Sequence, residues 1–186
     1  MVMKLILASN SPRRKELLSK IDYPFEIIPS GVEENSAATE PTELVQELAK
    51  LKATDVYARH PDCVVLGCDT VVDFEGEVMG KPYDREDAFR MLHALSGKRH
   101  FVHTGVCILS PVGKWLFCDS TEVNFRNLSE KEIADYVNGG EADGKAGAYG
   151  IQDDSRFAAS FKGDFDNVVG LPVYRVKAIL DKIYKG

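Results

Sequence analysis

Along the chain, short apolar runs of strand character alternate with longer stretches in which apolar residues recur every three or four positions. The strand-like runs are KLILA (4–8), FEII (25–28), VVLGCDTVV (64–72), HFVHTGVCILS (100–110), WLFCDSTEVNF (115–125) and FAASF (157–161), with a turn at FEGEV (74–78). Helical spacing predicts helices over 12–21, 41–59, 84–95, 129–138 and 172–184. Several of these begin on recognisable signals: Pro41-Thr42, Asp84, Leu171-Pro172, and a capping box of Ser129 with Glu132. The pattern predicts an α/β or α+β class with a mixed sheet. The central hairpins must be antiparallel, while the early strand–helix units allow parallel pairing.

A chain of 186 residues with 44% hydrophobic and 28% charged residues has the size and composition of one globular domain, taken as residues 1–186. With 29 acidic against 23 basic residues the net charge is −6. That balance disfavours an extended nucleic-acid surface, which must neutralise many phosphates. A small anion held by a few local cations stays open. Cys63, Cys68, Cys107 and Cys118 have no C-x-x-C spacing and lie in or beside apolar runs, so they are read as reduced and structural. The N-terminal apolar stretch is too short for a signal peptide and no later run is long enough to span a bilayer, so a cytoplasmic protein without membrane partners is expected.

Against this ordinary background, a few charges stand where patterning does not want them. In ASNSPRRKELL (8–18), Ser11 fits a helix N-cap and Pro12 the first helical position, yet Arg13 and Arg14 follow in the first turn, where the helix already presents positive N–H groups. Arg14 falls within the apolar arc centred on Leu17, Leu18 and Ile21, and Arg13 flanks it. Docking of a phosphate, or outward pairing with surface acids, would each account for them. Over 41–59 the apolar arc comprises Leu44, Val45, Leu48, Ala49, Leu51 and Val56, and Lys52 lands near its middle. Such a lysine must snorkel, pair with an acid or meet a ligand.

VVLGCDTVV places Asp69 and Thr70 at the end of, or inside, a run that otherwise reads as a buried strand. A lone buried carboxylate is costly, so a metal-ligand or general-base role is favoured over a turn role. Glu33 and Glu34 in VEEN and Lys81 in GKP add hard oxygen donors and a further cation, the parts needed to hold a magnesium-bound polyphosphate. Gly139 to Lys145 has the spacing of a phosphate loop, but Ala146 stands where Ser or Thr should reach a metal, the segment follows a helix, and Glu141 and Asp143 would face the phosphates. A phosphate loop is therefore rejected. Either the glycines there let backbone pass close to a ligand or another segment, so that Tyr149 and Gln152 present a ring and an amide, or the stretch is a plain irregular loop. His100 and His103 should point to opposite faces of a strand and make no metal pair, and no Ser-His-Asp or Cys-His grouping is evident.

Taken in order, ASNSPRRKELL, GCDTVV, GKP, LSGKRHFVHTGV, DGKAGAYGIQ and NVVGLP resemble the Maf family of nucleoside triphosphate pyrophosphatases, over about residues 4 to 180. The resemblance implies an inosine triphosphate pyrophosphatase-like fold with two lobes around a cleft, a divalent metal (Mg²⁺, with Mn²⁺ or Co²⁺ as alternatives) and a homodimer. It implies that Asp69 is the proton acceptor, with Glu34 and Asp69 holding the metal. Arg13, Thr70 and Gln152 match positions of substrate choice, and Ser9, Arg14, Glu34, Lys52 and Lys81 match other pocket positions. GCDT followed by KAGAYGIQ is similar to the branch acting on dTTP and UTP, with CTP and modified pyrimidine nucleotides as further candidates. Asp153-Asp154 departs from the glycine that often follows GIQ in the family. The alternative expectation is a non-catalytic nucleotide-binding module linked to cell division.

Overall fold

In the computed structural model, which describes residues 3–152 and 157–186, the predicted alternation of strands and helices is realised as a mixed seven-stranded sheet. Asp153 and Asp154 lie outside the described residues. The strands are β1 (Leu5–Leu7), β2 (Phe25–Ile27), β3 (Val64–Phe74), β4 (Glu77–Met79), β5 (Arg99–Ser110), β6 (Gly113–Phe125) and β7 (Ala158–Lys162). The helices are α1 (Pro12–Leu18), α2 (Pro41–Arg59), α3 (Arg85–Leu95), α4 (Glu130–Asn138), α5 (Phe165–Val169) and α6 (Val173–Lys185). Strand order is β2-β1-β3-β5-β6-β7, with β4 pairing β3 off this path. β1 is parallel to both β2 and β3, with Leu5 opposite Phe25 and Val64. β4 and β7 are antiparallel to β3 and β6. The β5–β6 connection has room only for a tight turn, which makes that pair a hairpin.

Helix boundaries follow local chemistry. Ser11 caps α1 by accepting from the Arg14 N–H, and Asp84 caps α3 by accepting from Asp87. The capping box of Ser129 and Glu132 is formed at α4. α1 stops at Leu18, earlier than the predicted 21, because Lys20 and Ile21 bond back three residues instead of four and tighten the last turn. Ile21 is still buried there. The short α5 escapes helical spacing altogether; it begins where the Asp164 carboxylate accepts from the Asp166 N–H.

The chain forms two compact units, each assembled from separated segments. The first holds residues up to Asp69, then Thr104–Asp119 and Gly170–Gly186. The second holds Thr70–His103 and Ser120–Val169. Within the first, Ile6, Ala8, Ala49, Ala53, Val56, Val65 and Cys107 make one buried cluster. Here α2 lies unusually close to the sheet. A Cβ on Gly67 would stand 2.4 Å from the Ala49 carbonyl oxygen, and one on Gly105 would stand 2.1 Å from that of Val45. Glycine is required at both places because the obstacle is backbone, which no rotamer change relieves. Within the second unit, His100, Phe125, Tyr136, Tyr149 and Phe157 form an aromatic cluster of edge-on and tilted ring contacts. Among the described residues no disulfide joins the four cysteines, and Cys68 and Cys107 are buried, as their placement in apolar runs predicts. Among the described residues no helix is long and apolar enough to cross a membrane.

Candidate active site

Two charges that patterning could not explain separately explain each other. The close seat of α2 on Gly67 carries Lys52, one turn from Ala49 and Val56, over β3, where its ammonium meets the Asp69 carboxylate at 2.6 Å. Both side chains are only 12% exposed, so this pair is largely withdrawn from water. A second carboxylate, that of Glu34 in the loop after β2, reaches the same ammonium at 3.1 Å from a more exposed position. Lys52 therefore neither snorkels nor stands alone. Its charge compensates an acid that the strand otherwise could not bury.

Arg14 is anchored in the same unit. Its Nε donates to the Gly170 carbonyl at 2.9 Å and its Nη1 to Ser9 Oγ at 3.3 Å, while the Ser11 N–H donates to the same Ser9 oxygen. These bonds join the ASNSPRR and NVVGLP segments. They also turn the guanidinium inward, as its place in the apolar arc predicts. Cys68, between Gly67 and Asp69, feels both Arg14 and Lys52: burial pushes its thiol up to about 11 against the pull of the two cations. Ser9 and Arg14 thus form one polar group and Lys52, Glu34 and Asp69 another, both in the first unit, and Cys68 feels the cation of each. Arg13 is half-buried on the first turn of α1.

The chain leaves the first unit at Asp69 and enters the second at Thr70. Thr70 is half-buried on β3, Lys81 is exposed just after β4, and Gln152 is exposed in a turn. The Gly139–Lys145 segment lies in the second unit. It follows α4, and the Lys145 ammonium folds back on the Glu141 carbonyl at 2.6 Å. Downstream, the Gly147 N–H donates to the Gly80 carbonyl at 3.0 Å, which ties this segment to the residue before Lys81. Tyr149 does not present its ring to a ligand. It is buried, its hydroxyl 2.7 Å from His100 Nε2, because the aromatic cluster of this unit absorbs it. Of the pair named from DGKAGAYGIQ, Gln152 is the residue that emerges.

One grouping escaped sequence reasoning. His103 and His100 do occupy opposite faces of β5, but His103 Nδ1 lies 2.7 Å from Ser120 Oγ and its Nε2 lies 3.4 Å from Asp73. A serine, histidine and aspartate are therefore in contact after all, contributed by β6, β5 and β3. The positions are far apart in sequence and become neighbours only through the strand order, which no local spacing reveals. The grouping ties three adjacent strands together across one face of the sheet.

The fold matches that of the Staphylococcus aureus Ham1 protein with a TM-score of 0.58 over 97% of this chain and 99% of that one, at 12% identity. The inosine triphosphate pyrophosphatase-like architecture is thereby borne out. Proteins named dTTP/UTP pyrophosphatase are similar along nearly their whole length. The one from Bacillus velezensis is 49% identical, covering 97% of this chain and 96% of the relative. Those from Deinococcus radiodurans and Aquifex aeolicus are 44% and 43% identical, covering 95% and 97% of this chain and 91% and 96% of theirs. The family model described as Maf-like protein matches residues 4–183, a span that takes in Ser9, Arg14, Glu34, Lys52 and Asp69 together with Thr70, Lys81 and Gln152, and the chain belongs to the Maf family.

Proposed function

We propose that this protein hydrolyses dTTP and UTP, and related pyrimidine nucleoside triphosphates, to the monophosphate and pyrophosphate. The observation that carries the reading is the nearly buried Asp69 carboxylate held at 2.6 Å by Lys52, in a chain whose relatives at 43% to 49% identity are named dTTP/UTP pyrophosphatases. A carboxylate so placed can accept a proton from water without being free to swing away. Water oxygen attacks the α-phosphorus, its proton passes to Asp69, and the bond from the α-phosphorus to the bridging oxygen breaks to release pyrophosphate. Arg13, Arg14, Lys52 and Lys81 neutralise the triphosphate charge, and Ser9 orients Arg14. Most of the rate then comes from positioning and electrostatics.

The donor set fits a magnesium ion of the kind that enters with a nucleotide. Asp69 and Glu34 converge on one cationic group, Lys52, and so already share a position where positive charge is stabilised. Among the described residues no group of three or more His, Cys, Asp or Glu side chains is placed to hold a metal unaided. Mg²⁺ commonly keeps several waters and is bound by one or two carboxylates plus substrate phosphates, which is what Asp69 and Glu34 can offer. When bound, Mg²⁺, Mn²⁺ or Co²⁺ would neutralise charge on the phosphate oxygens. Thr70 and Gln152 read the pyrimidine edge, and a base that leaves their polar groups unpaired is rejected. A homodimer, on the resemblance, and a cytoplasmic location, expected from the short apolar runs of the sequence, belong to the same proposal.

The test is a panel of nucleoside triphosphates with Mg²⁺, scored for pyrophosphate separately from orthophosphate. Pyrophosphate from dTTP and UTP, abolished in Asp69→Asn with folding intact, is the expected result. Orthophosphate alone would make the protein a phosphatase, and no release from any nucleotide would favour a binding module.

A further inference from the structure

The second unit contains a buried polar pair that the proposed chemistry leaves unused. His100 Nε2 and the Tyr149 hydroxyl lie 2.7 Å apart, Phe125 packs edge-on against both rings, and His100 Nδ1 is buried with no hydrogen-bond partner among the described residues. An apolar side chain would fill the same space without stranding a ring nitrogen. What His100 adds over such a residue is its bond to Tyr149.

Tyr149 sits in a stretch fastened at successive residues. Gly147 has φ +66° and lies so close to Val72 that a Cβ would stand 2.6 Å from Val72 Cγ2. Ala148 follows with φ 63°, a left-handed conformation that strains a residue with a Cβ and persists only where its surroundings enforce it. The Gly147 N–H is fixed on the Gly80 carbonyl at 3.0 Å, and the Gly150 N–H donates to the Tyr136 hydroxyl at 3.1 Å. Gln152 emerges two residues further on. Val72, beneath this stretch, shares a face of β3 with Thr70, since side chains alternate along a strand.

The geometry points to the His100–Tyr149 hydrogen bond as a latch that holds the strained 147–150 backbone over Val72 and thereby sets Gln152 in register with Thr70 for reading the base. His100 and Tyr149 are then positioning residues for base selectivity, an inference that rests on the base-reading role proposed for Thr70 and Gln152. Both partners are neutral, since burial pushes the Tyr149 hydroxyl well above the usual phenol range and lowers the His100 ring to about 4.

The experiment compares wild type, Tyr149→Phe, Gln152→Ala and the double variant. It reads amide hydrogen exchange over residues 147–152 and the ratio of kcat/KM for dTTP over dATP. Tyr149→Phe is expected to speed exchange in that stretch and to lower the ratio about tenfold, chiefly through KM for dTTP; the double variant falls no lower than Gln152→Ala, because both act through one amide. His100→Leu, which fills the ring's space and removes the phenol's partner, must reproduce the pattern and serves if Tyr149→Phe does not fold. Unaltered exchange, an unaltered ratio, or losses that multiply in the double variant would overturn the latch while leaving the hydrolase reading intact. A wild type that releases pyrophosphate from no nucleotide would overturn both.

Discussion

Lys52 and Asp69 meet at 2.6 Å where α2 crosses β3, and each supplies the other with a counter-charge. The lysine occupies the middle of an apolar helix stripe and the aspartate the middle of an apolar strand. Asp69→Asn keeps the size and most hydrogen bonding of the side chain but cannot take a proton from water. It should lower kcat by about 10² to 10⁴, the usual worth of a positioned general base, with KM changed far less. Steady-state pyrophosphate release, beside a circular-dichroism melt to show folding, checks this. Wild-type turnover in a folded Asp69→Asn protein would remove Asp69 as the base.

Removing the cation is expected to hurt the fold more than removing the acid. Lys52→Met leaves Asp69 buried without its counter-charge, a change that costs about 3 kcal/mol in comparable buried pairs. Adding Asp69→Asn to Lys52→Met should recover much of that loss, since no charge is then stranded, and should recover no activity. Urea unfolding of the two single variants and the double variant measures the coupling directly. Additive losses would show that the two side chains do not depend on each other.

How far the sequence discloses this arrangement depends on how local the signal is. The helix starts at Ser11, Asp84 and Ser129 were readable because a cap is a matter of three or four residues. Lys52 and Asp69 were visible as anomalies, since a charge on an apolar face is itself local, but their pairing was not, because it depends on where α2 lands on β3. That landing is set by Gly67 and Gly105, which patterning reads only as gaps in strands. The contact of Asp73, His103 and Ser120 was invisible for the same reason: it exists only once β3, β5 and β6 are neighbours. Tyr149 was misread because a glycine-rich stretch looks open, whereas its positive-φ backbone folds the ring into an aromatic cluster.

The seat of α2 makes a prediction of its own. Gly105→Ala places a methyl group 2.1 Å from the Val45 carbonyl oxygen and 2.6 Å from the Gln46 nitrogen, so the helix must lift. Overpacking of this kind costs about 1–3 kcal/mol. Lifting α2 also draws Lys52 from Asp69, so Gly105→Ala should lower kcat although residue 105 touches no proposed substrate group. A thermal melt and a turnover assay on the same preparation test the coupling. Lost stability with wild-type kcat would show that Lys52 does not need the helix held so close.

His100 gives the fold an acid limit that can be told apart from that of the carboxylates. Burial against Phe125 and Tyr149 lowers its ring from 6.5 to about 4, and the titratable group packed on it, the Tyr149 phenol, stays neutral through this range. Because the folded value is depressed, the unfolded chain takes up the proton first. The stability that the neutral ring secures is therefore complete above about pH 6.5 and is lost progressively as pH falls to about 4. At roughly 1.4 kcal/mol per unit, the loss amounts to about 3 kcal/mol. The depressed carboxyls of Glu132 and Asp181 act lower, since their unfolded values are 4.5 and 3.8 and their folded values lie below these. Urea midpoints should therefore fall between pH 6.5 and 4.5 in wild type and stay nearly level in His100→Leu, whose absolute stability at pH 7 is a separate matter. Equal slopes in the two proteins over that interval would show that the ring is not held neutral by its burial.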